Sequence, residues 1–197
     1  MKKLLLTLLI VMGVSQSYAK EKRKILNPGI RGGWSISNVT NIGGDYRTDF
    51  YAGIQLPIRF ARFYKLQPEL IYSRQGVKGT NNNPHYDPYQ RDADELKLSY
   101  IDINVINKFY FGKINLQAGP GLAIATNSSK YNVTPIDLTL NLGIGIDITK
   151  RIGIEARWMP GIVSINASAD EYHYSSRYDD SDYMRNNTFQ IGAYLKF

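Results

Sequence analysis

The 197-residue chain carries 24 lysines and arginines against 17 aspartates and glutamates, a formal net charge of +7, with 17 glycines, 15 tyrosines and no cysteine. That length fits one domain or at most two small ones. The missing cysteine excludes a disulfide framework, a zinc–thiolate site and a cysteine nucleophile, and the lack of any second long apolar run excludes a polytopic helical membrane protein.

Met1-Lys2-Lys3 is a short basic start, Leu4 to Val14 is an almost unbroken apolar run, and Ser17-Tyr18-Ala19 sets small residues where a signal peptidase reads. This order predicts a secretory signal peptide over 1–19, cleaved after Ala19. A retained anchor is the alternative, but the run is too short to span a bilayer and Lys20 to Lys24 follows it at once. Cleavage removes two lysines and leaves 178 residues with a formal net charge of +5. A short periplasmic segment over 20–29 then leads to the folded domain, 30–197.

From there the chain alternates every second residue in eight stretches, near 30–39, 49–60, 65–76, 95–109, 114–125, 135–148, 152–164 and 187–197. In the second, Ala52, Ile54, Leu56, Ile58 and Phe60 oppose Tyr51, Gly53, Gln55, Pro57 and Arg59. The stretch over 95–109 switches parity: Leu96, Leu98 and Tyr100 share one face, then Ile101, Ile103 and Val105 the other. A bulge, or large residues turned inward, would explain it. Later, Leu138 to Ile148 oppose Asp137 to Asp147, and Ile152, Ile154, Ala156 and Trp158 oppose Gly153, Glu155, Arg157 and Met159. Period two means strand, and most stretches are longer than the usual five or six residues of a soluble strand.

Connections alternate as well. Residues 61–64, Gly112-Lys113 and Thr149-Lys150-Arg151 are short turns, whereas 40–48, 77–94, 126–134 and 165–186 are longer and polar. Short turns at one end and longer loops at the other, with charged residues on the polar face, point to an all-β, eight-stranded antiparallel transmembrane β-barrel rather than a soluble sandwich. An even strand count sets both termini at the short-turn, periplasmic end. The closing strand, with Phe189, Ile191, Leu195 and the terminal Phe197 on one face, resembles the signal read by the barrel assembly machinery.

Four segments resemble the PorT-type small outer-membrane β-barrel family of Bacteroidetes-like bacteria. They are Gly29-Ile30-Arg31-Gly32-Gly33-Trp34-Ser35-Ile36-Ser37-Asn38; Leu66-Gln67-Pro68-Glu69-Leu70-Ile71-Tyr72-Ser73-Arg74-Gln75-Gly76; Leu96 to Ile103 followed by Gln117-Ala118-Gly119-Pro120-Gly121; and Phe189 to Phe197. Asn104 departs from the family, which often has proline there. The resemblance implies an eight-stranded barrel in the outer membrane of a Gram-negative bacterium, with no enzymatic activity and no cofactor, and more distantly a link to protein secretion.

An eight-stranded barrel has an interior just wide enough for side chains to fill. On the assigned parity Arg59, Glu69, Asp102, Glu155, Arg157 and Lys196 point inward and are expected to pair across strands, since isolated buried charges are costly. A narrow channel or transporter for small solutes is the alternative. The last loop holds Asp170, Glu171, Tyr172, Tyr174, Tyr178, Asp179, Asp180, Asp182 and Tyr183, a candidate contact surface for an envelope or secretion protein, because tyrosine offers area and a hydrogen bond at low entropic cost. Its spacing matches no calcium loop, and a solvated exterior loop is the simpler reading.

His173-Tyr174-Ser175 has a His-x-Ser spacing that resembles a lipid A deacylase motif, but Asn186, Asn187 and Thr188 stand where its acid belongs. The only other histidine is His85. A base without its orienting carboxylate is a poor catalyst, so no enzyme is expected. Export and the absence of a basic, aromatic-interleaved stripe argue against nucleic acid. Arg62, Lys65, Lys108, Lys113, Lys150 and Arg151 gather partly near the short turns, where they can meet the phosphates of outer-membrane lipid; ordinary solvation of turn residues is the simpler alternative. The expected role is structural, or an interaction made through the loops.

Overall fold

The computed structural model describes residues 25–40, 45–78, 95–127, 134–163 and 185–197. The expected signal peptide over 1–19, both histidines, Ser175 and the acidic tyrosine-rich positions 170–183 lie outside the described residues.

Alternation writes the strands: β1 (Gly29–Val39), β2 (Asp45–Gln55), β3 (Ile58–Arg59), β4 (Tyr64–Lys78), β5 (Glu95–Phe111), β6 (Ile114–Ala125), β7 (Ile136–Asp147), β8 (Ile152–Pro160) and β9 (Asn186–Lys196). Every pairing is antiparallel. β1 pairs both β2 and β9, and β2 also pairs β4, so the eight long strands close on themselves while β3 adds a two-residue rung to β4. Closure leaves no free long edge. The long strands run from 9 to 17 residues, against the roughly 9–11 that a tilted strand needs to cross a bilayer.

The two faces of the wall divide by chemistry. Ile30, Leu70, Ile103, Leu140, Ile144 and Ile154 are exposed on the outside, and Trp34, Phe50, Phe60, Phe63, Phe111 and Trp158 are exposed with them. Inward positions are buried and mostly polar: Arg31, Gln67, Glu69, Asn104, Gln117, Asn141 and Arg157. A soluble sandwich would show the reverse. An apolar exterior around a polar interior is the arrangement of a barrel set in lipid.

Local chemistry sets the irregular points. β2 begins at Asp45 and stops at Gln55, earlier at both ends than the alternation over 49–60 suggests; its end is set by Pro57, which has no N–H for the ladder. The register between β2 and β4 slips between Tyr46 and Tyr51. Near that slip Gly76 holds φ 139, a conformation other residues rarely take. Gly112, at φ 68, turns β5 into β6.

The parity switch of β5 also has its cause. Its ladder to β4 runs without a break from Lys78↔Glu95 to Tyr64↔Phe109, so no bulge is present. Leu98 and Tyr100 instead turn inward, where they join Val39, Val77, Ala123 and Ala125 in an apolar cluster that caps the lumen at the long-loop end. The same ladder corrects the position of Lys108. It is no turn lysine: β5 continues to Phe111, and Lys108 is 1% exposed inside the barrel.

Candidate functional site

Inward parity delivers the charges to mid-barrel, and ring closure decides which of them meet. Around the ring β4 and β8 are diametrically opposite. Arg157 of β8 reaches across the full width to Glu69 of β4, with Nη1 and Nη2 donating to its two oxygens at 2.7 Å each. Two parallel N–H···O bonds are the strong, planar form of this pairing. Arg31 of β1 donates to the same carboxylate at 2.5 Å, and its Nε stands 2.9 Å from Glu155. Lys108 of β5 closes the cluster on Glu155 at 3.1 Å.

Neutral side chains add hydrogen bonds to the cluster. Gln117 accepts from Arg157 Nε at 2.7 Å and donates to Glu155 at 3.1 Å, while Gln67 donates to Glu69 at 2.5 Å. Two carboxylates therefore hold three cations, all with side chains at most 1% exposed. Removing one member would leave its partners buried and uncompensated, which is why such networks stand or fall as units.

Of the six inward residues expected from sequence, Glu69, Glu155 and Arg157 belong to this cluster. Lys196 makes a separate pair, donating to Asp147 at 2.9 Å, and Tyr194 donates a hydrogen bond to the same carboxylate. Asp102 makes no ion pair among the described residues and accepts from Ser73 at 2.9 Å. Arg59 is half-buried at the short-turn mouth, outside the network. Arg31, Lys108 and Asp147 are not among those six, although Asp147 lies on the polar face read for its stretch. Arg31 had a signal, since it alternates with Ile30 and Gly32 in β1, whereas Lys108 was hidden by the parity switch of its own strand.

Above the cluster the lumen is lined mostly by neutral polar side chains, with Asp102 and Asp137 among them. Gln75 accepts from Asn186 and, at 2.9 Å, from Thr188, and Asn141 donates to Asn104 at 3.3 Å. Asp137 faces the same space, and among the described residues no side chain donates to its carboxylate. The closing strand sets Phe189, Ile191 and Phe197 exposed on the outer face, with Leu195 half-buried on that face, between β1 and β8. Among the described residues no cluster of histidine, cysteine and carboxylates could hold a metal ion.

A family model described as an outer membrane protein beta-barrel domain matches residues 14–167. Among solved structures, Neisserial surface protein A is similar with a TM-score of 0.52 at 14% identity, over 90% of this chain and 100% of that one. Ail, the attachment invasion locus protein of Yersinia pestis, gives 0.48 at 12% identity, over 87% and 98%. No curated protein matches the sequence. The chain belongs to the outer membrane protein β-barrel domain family and is a small barrel of the outer membrane.

Proposed function

We propose that this outer-membrane barrel is a closed scaffold with a structural or loop-mediated interaction role in the cell envelope, not a pore and not an enzyme. One observation carries the reading: Arg157 and Glu69 bridge the lumen from wall to wall while Arg31, Lys108 and Glu155 fill the space beside them. A path for solutes would have to break several buried, charge-assisted bonds at once. In planar bilayers the purified wild-type barrel is expected to give no step-like conductance. Stable unitary steps would overturn the closed scaffold in favour of a narrow channel.

The same proposal assigns the interaction to residues 170–185, whose five acids and four tyrosines suit a protein contact. Deleting them and capturing envelope proteins should change the captured set; an identical set would remove the loop's role. PorT-type membership, and with it a link to secretion, rests on the motifs from Leu66 to Gly76 and from Leu96 to Ile103. The short-turn end is read as periplasmic, the signal peptide as cleaved after Ala19, and the closing strand as the part recognised by the assembly machinery. Substituting His173 and Ser175 should leave lipid A acylation unchanged.

A further inference from the structure

The cations at the short-turn mouth take no part in the closed lumen. There β3, the turn after it, β4, β5 and β7 surround a cavity of about 370 Å³ lined by Arg59, Arg62, Phe63, Lys65, Tyr110 and Asp147. That volume falls within the roughly 300–1,000 Å³ of small-ligand pockets. Three cations face one acid, and the acid is already engaged by Lys196 and Tyr194. Lys65 rests 4.0 Å above the Tyr110 ring, and the charges that act on it are Lys196, Arg59 and Lys108 against Asp147 alone. Among the described residues neither the Arg59 nor the Arg62 guanidinium has an ion-pair partner.

We infer that this mouth is an anion site for a phosphate group, presented either by a phospholipid headgroup or by a soluble phosphate. Guanidinium forks match phosphate oxygens, and Lys65 adds a point charge from a third direction. Cations converging from β3, the turn and β4 suit the spread oxygens of a phosphate better than the flat pair of a carboxylate. Phe60, Phe63 and Phe111, each more than 60% exposed, stand at the same end of the barrel, where a headgroup would bring its acyl chains.

The test uses the full mature chain, refolded in octyl glucoside and titrated calorimetrically with inorganic phosphate and with a short-chain phosphatidylglycerol. Wild type is compared with R59Q/R62Q and with K150Q/R151Q, a charge-matched pair on the β7–β8 turn outside the cavity. R59Q/R62Q should weaken binding at least about tenfold, as expected for lost charge-assisted hydrogen bonds, and K150Q/R151Q should not. Binding of phosphate itself names a soluble anion, and binding of the lipid alone names a headgroup; both uphold the site. Failure of wild type to bind either probe, or equal weakening in K150Q/R151Q, overturns it. If R59Q/R62Q loses the heat-shifted gel band of a folded barrel, K65Q takes its place under the same criteria.

Discussion

At mid-barrel Glu69 and Glu155 hold Arg31, Arg157 and Lys108, whereas toward the long-loop end Asp102 and Asp137 hold no cation among the described residues. The strands are the same and the alternation is the same. In the upper layer Asp102 and Asp137 lie on one rung on either side of the small Ala123. The Tyr100 hydroxyl and Thr139 Oγ1 have no hydrogen-bond partner there, and no side chain among the described residues donates to Asp137. Closure in that half comes from Leu98, Tyr100, Val39 and Val77 instead. A polar lumen can thus be shut in two ways: by charges that satisfy one another across its width, or by apolar side chains turned inward over a layer of under-satisfied oxygens.

The two halves should respond oppositely to loss of charge. Glu69→Ala should be the most damaging change, because Arg31 and Arg157 would lose their shared partner while still buried. A loss of about 3–5 kcal/mol is expected, read by urea titration of the barrel in lipid vesicles with Trp34 and Trp158 as fluorophores. A loss under about 1 kcal/mol, the size of a surface ion pair, would mean that water enters the cluster.

Leu98→Ala should come next. It removes a side chain 1% exposed from the apolar cap and should cost about 2 kcal/mol, the low end for a buried leucine truncation. Gly153→Val should cost somewhat less, about 1–2 kcal/mol, by overpacking. Gly153 is paired with Tyr194, and any Cβ there would run into the Tyr194 ring, displacing a hydroxyl that serves Asp147. The smallest effect carries the opposite sign. Asp137→Asn removes a buried carboxylate with no cation and no side-chain donor among the described residues and should leave stability unchanged or raise it by about 1 kcal/mol. A marked loss would show that Asp137 holds something the mid-barrel comparison misses.

The fold was legible because its information is local. Period two in β6, β7, β8 and β9 can be read residue by residue, and the short turns at Gly112 and Thr149 mark where the chain reverses. Legibility failed where a position served a second purpose. Leu98 and Tyr100 are apolar yet face inward, so they masked the parity of Lys108. Pro57 fits the alternation yet cannot join the ladder, so the alternation runs past the end of β2.

Glu69 and Arg157 could each be assigned to the interior from the strand that carries it, and the polar interior and apolar exterior follow from the same pattern. That they form one pair could not be seen, since 88 residues separate them and no local rule links β4 to β8. The partnership exists because eight strands close into a ring and set those two strands face to face. Arg59 shows the other side of the point: it lies on the expected face, but its height along the barrel leaves it at the mouth. Which way a side chain points is a property of the strand; what it meets there is a property of the closed barrel, fixed by strand number, register and the width of the lumen.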